Sequence, residues 1–370
     1  MKKKILHIIV GLGNGGAENT LLKLTKGLRN EFNNYILVLG NQNYLEKKFR
    51  NNKIKLIKAN LKNKYSFFFN FLKIYYLIKK NNPDLIQTWM YHSDLIGSLI
   101  GKIFLKKKII WCIRHSNLKF FQSKLSTILI SKICTILSHN FVDEIIYSSK
   151  NSANYHKSIG YNINKGLEIF NGYSPHQFKY IKYKKRNTFT LGFLSNFRAQ
   201  KDFFSFLKSL EILKNKKVHF KCYMAGQYVN KKNKSLQNLI VDFNLTNEIT
   251  LLGELGNTKP FFKRIDYLVS SSSFGESFPN VIAESMLQGI PCICTNVGDA
   301  KRIISGLGWI SDPSNPEKLS KNILRAKKYK EKNKNNYIEL KKKVRKKIIN
   351  KYHINFMYNK YSKVWKEIIK

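Results

Sequence analysis

Cysteines and carboxylates are scarce in this chain of 370 residues, and long apolar runs are missing. The five cysteines (Cys112, Cys134, Cys222, Cys292, Cys294) are scattered, mostly inside apolar stretches, and read as buried small hydrophobes. An odd count without a spacing framework speaks against a disulfide-stapled scaffold and fits a reducing cytoplasm. Cys292 and Cys294 are taken to project to opposite faces of one strand, a poor metal or disulfide pair. No stretch holds 18 uninterrupted apolar residues, and the nearest, Phe67 to Ile78, is broken by Asn70 and Lys73, so no spanning helix is expected. The start MKKKILHIIVGLG imitates a secretory signal, but its apolar run is short, no small-residue cleavage site follows and Glu18 opens a helix. Asp and Glu number 22 against 67 Lys and Arg, a net charge of +45. Such a field suits nucleic acid or an anionic membrane surface. The abundance of Lys, Asn, Ile, Phe and Tyr also fits AT-rich coding. A nucleic-acid binder should cluster its charges beside aromatic stacking positions; these are spread, and no nucleic-acid partner is expected.

What is present points to two globular domains, since the chain is long for one core and 43% apolar. Its most informative stretch is Ser270 to Gly298, SSSSFGESFPNVIAESMLQGIPCICTNVG. An apolar strand (Tyr267 to Val269) runs into a polar loop, Ser270 to Glu276. A helix follows from Phe278-Pro279-Asn280 to about Gln288, with Gly289 as C-cap, and a second strand spans Pro291 to Thr295. The helix N-terminus offers N–H groups and a positive dipole end to an anion. Glu276 and Glu284 bracket it with seven residues between them. Carboxylates would repel an anion, so they suit hydroxyls of the same ligand. Phosphate with many hydroxyls describes a nucleotide sugar.

The form FGESFPNVIAESMLQGIPCICTNVGD closely resembles the E-x7-E donor motif of retaining glycosyltransferases of family 4, which have the GT-B fold: α/β, two Rossmann-like domains facing a central cleft. The resemblance covers most of the chain and is strongest from Ser195 to Gly298. It implies that Glu284 holds the donor ribose, that Glu276 holds the sugar hydroxyls and acts in catalysis, and that Ser277, Phe278, Pro279, Asn280 and Val281 line the donor site. NFRAQKD, residues 196–202, resembles the family's phosphate-binding loop, so Asn196, Arg198 and Lys201 face the diphosphate, with Arg198 and Lys201 counted among the catalytic groups. The family more often places Arg where this chain has Asn196, which makes Lys201 the firmer carry-over. Without the resemblance, Arg198 and Lys201 are two cations in a strand-to-helix loop with Asp202 as N-cap, suited to a leaving diphosphate or simply solvated. No Asp-x-Asp occurs, so the metal-binding motif of the other glycosyltransferase fold is missing, and no metal or cofactor is expected beyond a UDP- or GDP-linked sugar as co-substrate.

In chain order, Ile5 to Val10 is a buried strand, GLGNGG (Gly11 to Gly16) a glycine loop, and Ala17 to Leu28 an amphipathic helix. Gly11, Gly13 and Gly16 satisfy the dinucleotide pattern G-x-G-x-x-G. The second strand, Tyr35 to Leu39, ends in Gly40, Asn41 and Gln42 without the acid that would bind a ribose, which disfavours an NAD oxidoreductase. GNGGAENTLLKLTKGL resembles the family's first loop and helix, and by that likeness Gly15 and Gly16 approach the donor diphosphate. Lys62 to Lys80 reads as a basic, aromatic-rich helix, either a core element or an interfacial one with flanking lysines. His92 and Asp94 lie beyond the end of one strand and His115 beyond the next, where open α/β sheets bind ligands. Those segments resemble the family's acceptor side, which implies His92 and His115 as acceptor-side residues and His115, the histidine near the transferred sugar, as one of the catalytic groups.

The expected organisation is an acceptor-side domain over 1–178, a linker over 179–187, a donor-side domain over 188–347, and a C-terminal helix over 348–370 crossing back to the first domain. The expected activity is transfer of a hexosyl unit from a nucleotide sugar to a glycan or lipid-linked glycan acceptor in bacterial surface polysaccharide assembly. The enzyme is expected in the cytoplasm, with peripheral contact to an anionic inner-membrane face. A sugar-nucleotide epimerase of the same fold is the alternative.

Overall fold

The computed structural model describes residues 1–61, 67–118 and 124–370. The expected basic start of the aromatic helix, Lys62 to Ser66, lies outside the described residues, as does Ser123, the expected first residue of a long apolar helix read from the sequence over Ser123 to Ser138. The chain forms two compact units, Met1–Gly172 with Ile354–Lys370, and Tyr173–His353. Both are parallel-sheet α/β units, in line with the expected fold class.

The first unit contains β1 (Lys4–Ile9), α1 (Gly16–Gly27), β2 (Asn33–Val38), α2 (Glu46–Asn51), β3 (Lys55–Lys58), α3 (Phe67–Asn81), β4 (Leu85–Trp89), α4 (Tyr91–Ile96), β5 (Lys108–Ile113), α5 (Leu125–Asn140), β6 (Glu144–Tyr147), α6 (Lys150–Ser158) and β7 (Gly166–Glu168). The strands lie in the order β3-β2-β1-β4-β5-β6-β7, all parallel. Both faces are covered, so strands such as β5 are continuous apolar runs, Ile109 to Ile113, rather than alternating ones. α4 runs on into π-helical turns, Gly97–Phe104. A Cβ at Gly97 would stand 2.3 Å from Thr88 Cγ2, so glycine lets this widened helix lie directly on β4.

The second unit contains β8 (Thr190–Leu194), α7 (Phe203–Asn215), β9 (Lys221–Ala225), α8 (Lys234–Asp242), β10 (Ile249–Leu251), α9 (Lys259–Arg264), β11 (Tyr267–Ser270), α10 (Asn280–Leu287), β12 (Cys292–Thr295), α11 (Ala300–Ile304), β13 (Trp309–Ser311), α12 (Pro316–Lys332) and α13 (Lys334–Lys351). Its sheet is β10-β9-β8-β11-β12-β13, again parallel. Phe193, Phe206, Met224 and Tyr267 are among its core residues. α14 (Ile354–Ile369) belongs to the first unit, where Trp365 packs edge-on against Phe32 and donates from Nε1 to Gln87 Oε1 at 2.7 Å.

Three details differ from the sequence reading. Residues 179–187, expected as a linker, are packed into the second unit: Ile181 N–H donates to Gln288 O at 2.9 Å, and Arg186 pairs with buried Asp266 at 2.9 Å. A polar composition concealed a segment whose charge has a buried partner. The unit boundaries accordingly fall after Gly172 and His353, not at 178 and 347. Cys292 and Cys294 do not point to opposite faces, because residues two apart on a strand share one, and their buried thiols interact.

Candidate active site

In the second unit the strand order reverses between β8 and β11, the place where open α/β sheets hold ligands beyond their strand ends. β8 ends at Leu194 and leads to Lys201; β11 ends at Ser270 and leads to Glu276. The two loops are stitched together. Ser273 N–H donates to Gln200 O at 2.9 Å, and Ser271 Oγ donates to Lys201 O at 2.8 Å. Lys201 Nζ donates to Glu276 Oε1, and Ser272 Oγ reaches the same oxygen at 3.2 Å. The lysine is 21% exposed and the glutamate 13%, so this is a half-buried ion pair open to solvent on one side. Asp202 adopts the left-handed conformation (φ 45°) and caps α7, accepting from Ser205 N–H at 3.0 Å. That cap fixes where Lys201 leaves the loop.

Glu276 is held from behind by glycine. Gly298 has φ +57°, and a Cβ there would stand 2.2 Å from Glu276 O and 2.5 Å from Ser277 O. The next residue, Asp299, donates its N–H to Ser277 O at 2.9 Å. The turn after β12 is thus moulded onto the backbone that carries the carboxylate.

Glu284 lies half-buried on α10. Ser277, Phe278 and Pro279 are buried ahead of that helix, while Asn280 and Val281 are half-buried. The Phe278 ring stacks on Tyr173 (6.1 Å) and meets Tyr352 edge-on (5.2 Å), so its side chain serves the core and its backbone is what a ligand could use. Arg198 is exposed, one turn before Lys201. Asn196 is engaged within the scaffold, where its Oδ1 accepts from Gln227 N–H at 3.0 Å and ties the β8 loop to the β9 loop.

The first unit has its own reversal point, between β1 and β4. Gly15 and Gly16 follow β1 at the start of α1, His92 follows β4, and Arg114 and His115 follow β5. Met90, at the β4 exit, takes φ 74°, a conformation a non-glycine residue seldom adopts and one that collects at functional sites. Asn171 Oδ1 accepts from Arg114 Nη2 and, at 3.3 Å, from Thr20 Oγ1, tying α1, the end of β5 and the end of β7 together. His115 stacks on Tyr91 (6.4 Å, 22°), and its carbonyl accepts from Ser152 Oγ. Tyr91 in turn bonds His156 Nε2 at 2.8 Å. Burial pushes His156 down to about 4, so its imidazole is neutral at pH 7, and burial pushes the Asp94 carboxyl up to about 7. His92, half-buried and near Lys124, also titrates below the ordinary histidine value, with burial the larger cause.

The structure therefore brings Lys201 and Glu276 into contact, with Asn196 and Arg198 on the loop that leads to Lys201 and residues 277–281 and Glu284 on the chain that follows Glu276. Gly15 and Gly16, His92, and His115 follow the neighbouring strands β1, β4 and β5 of the other unit. Ser272, Gly298 and Tyr173, whose hydroxyl donates to Asn280 Oδ1, were not singled out from the sequence. Ser272 and Gly298 fall inside the Ser270 to Gly298 stretch, but nothing local marked the contacts they make. Among the described residues no group of three or more His, Cys, Asp or Glu is placed to hold a metal ion.

Residues 176–346 match the family described as glycosyl transferases group 1, and residues 14–177 match Glycosyltransferase Family 4. The chain is a glycosyltransferase of the family 4 type. This glycosyltransferase is 22% identical over 303 residues to the capsular polysaccharide biosynthesis glycosyltransferase CapH of Staphylococcus aureus, with 81% of this chain and 83% of that protein covered. Its fold matches Anabaena HepE in complex with UDP and glucose (TM-score 0.84, 15% identity, 99% and 100% of the chains). It also matches a glycosyltransferase from Rickettsia africae (TM-score 0.82, 21% identity, 100% and 99%). At these identities the structural likenesses establish the GT-B fold.

Proposed function

We propose that this glycosyltransferase moves a hexosyl unit, with retention of anomeric configuration, from a UDP- or GDP-linked sugar to a lipid-linked glycan acceptor in bacterial surface polysaccharide assembly. The Lys201–Glu276 pair at the reversal point of the second sheet carries the reading. A nucleotide sugar has a partner for each member: the diphosphate takes the ammonium, and sugar hydroxyls take the carboxylate. Without donor, each ion neutralises the other, which avoids leaving a half-buried charge alone. As the glycosidic bond breaks, negative charge grows on the departing diphosphate. Lys201, with Arg198 farther out, stabilises that charge more in the transition state than in the ground state. Glu284 serves the ribose, and the backbone of residues 278–280, at the α10 N-terminus, supports sugar and phosphate. On the first unit, His92 and His115 serve the acceptor. The CapH relative supports a surface polysaccharide product, and the relative solved with UDP and glucose supports a nucleotide-sugar donor.

The test is a donor screen by thermal protection, followed by transfer to a lipid-linked acceptor pool and NMR of the product's anomeric proton. A nucleotide sugar that protects and is transferred with its configuration kept supports the proposal. An altered nucleotide sugar released without acceptor would assign an epimerase instead.

A further inference from the structure

The helices α3, α4 with its π-helical extension, and α5 cover one face of the first sheet, sharing a core with Leu6, Ile86, Trp111 and Ile145. Their inner faces are apolar, as expected. Their outer faces are apolar too. α5 exposes Leu125, Leu129 (61%), Ile133 and Ile136 (73%), at spacings of four, four and three, so one stripe runs its whole length on the side away from the sheet. α3 exposes Phe69 (74%), Leu72 and Tyr76, and the π-helical segment exposes Ile103 and Phe104. The Phe104 ring meets Phe71 of α3 at 5.4 Å, joining those two elements at the surface. A helix normally turns one apolar stripe inward and a charged face outward. Here the outward faces carry a second apolar set, and a contiguous patch of that kind marks an interaction surface.

The charges around it select the partner. Exposed Lys73, Lys79, Lys80, Lys106 and Lys132 sit on these same elements or at their ends, and Lys80 Nζ lies 6.0 Å over the Tyr76 ring. Between Phe67 and Val142 the only carboxylates are Asp84 and Asp94. Asp94 is buried, and Asp84 is taken up by Lys4 N–H (2.7 Å) and Lys3. Just past α5, Asp143 pairs with Lys102 of the π-helical segment at 2.7 Å, while Lys73, Lys79, Lys80, Lys106 and Lys132 enter no ion pair among the described residues, so these lysines and the apolar side chains face outward together. A second copy of the chain would set lysines against lysines, at +45 per chain. An anionic lipid surface supplies both complements, headgroup charge for the ammonium groups and acyl carbons for the apolar ones. No described helix is long and apolar enough to cross a membrane, so the contact is peripheral.

We infer that the outer faces of α3, the π-helical segment and α5 form one monotopic docking surface for an anionic bilayer, with the α5 stripe as its apolar anchor. The surface lies on the unit that carries His92 and His115, which suits an acceptor presented at a membrane. Lipid binding by this surface does not depend on which sugar is transferred or to what.

The experiment is sedimentation of the full chain with vesicles of phosphatidylcholine alone or mixed with phosphatidylglycerol. Wild type is compared with Leu129→Ser/Ile136→Ser and with Phe204→Ser/Val241→Ser, the latter pair being exposed apolar positions on the second unit. The circular-dichroism melt reports on folding for each variant. Wild type and the second-unit variant should sediment with the anionic vesicles only, and the α5 variant should partition about tenfold less. Equal partition of the α5 variant, or no wild-type binding to either vesicle, would overturn the inference. So would a concentration-dependent dimer that the α5 variant disperses, which would make the surface an interface between copies.

Discussion

Replacing Gly298 by alanine should damage the donor half without touching a charged group. The added Cβ would stand 2.2 Å from Glu276 O, whereas real Cβ contacts stay beyond 3.0 Å, so the two chains must part by at least about 0.8 Å (3.0 − 2.2). Both sides of the contact are backbone, and Ser277 O is also within 2.5 Å, so no side chain can swing away to absorb the change. The φ of +57° adds about 1–2 kcal/mol for a residue with a Cβ. With the steric part, a loss of about 2–4 kcal/mol follows, which for a unit of this size lowers the melting temperature by roughly 5–12 °C. The displacement falls on the backbone of Glu276, and misplacement by about 1 Å costs on the order of 100-fold in rate. The assay pairs calorimetry with kcat/KM for donor turnover, measured well below the variant's melting temperature. A variant with wild-type melting and turnover would refute the claim that this turn is moulded onto Glu276.

Lys201→Met removes the ammonium that meets Glu276 Oε1. Turnover should fall by about 10²–10³ while stability falls by only about 1 kcal/mol, since the pair keeps contact with solvent, and Lys201→Arg should recover much of the rate. For His156, a folded pKa of about 4 against 6.5 unfolded means the unfolded chain binds more protons between those values. Its contribution, about 3 kcal/mol, is present above pH 6.5 and is lost as pH falls toward 4. Urea melts across that window should show the loss in wild type and a shallower slope in His156→Gln. Asp94 carries the opposite sign, because its folded pKa of about 7 lies above the unfolded 3.8. Wild type should therefore lose up to about 4 kcal/mol relative to Asp94→Asn as pH rises from 4 to 7, and a constant gap would contradict the burial argument.

The strand–helix alternation, the glycine loop and the β–loop–α unit around Glu276 were legible in sequence because each is a local pattern of period and punctuation. The Lys201–Glu276 contact was not, since it spans 75 residues and exists only because β8 and β11 are neighbours in the sheet. Asn196 illustrates the same limit from the other side: its place in the motif suggests a ligand, while its Oδ1 is engaged by Gln227 N–H. The stretch 179–187 looks like a linker by composition, yet the buried Asp266 that draws Arg186 in is 80 residues away. The outward apolar stripe of α5 was hidden for a different reason. Ser123 to Ser138 reads from the sequence simply as a long apolar helix, and only the sheet shows which of its sides is covered.

Calorimetric titration of UDP and the matching UDP-sugar into wild type, Lys201→Met and Glu276→Gln tests the central claim most directly. If Lys201 holds the diphosphate and Glu276 the sugar, Lys201→Met weakens both ligands. Glu276→Gln, which also frees Lys201, keeps or tightens UDP and erases the extra affinity that the sugar confers. Equal loss of UDP and UDP-sugar affinity in Glu276→Gln, or unchanged binding of both in Lys201→Met, would contradict the account.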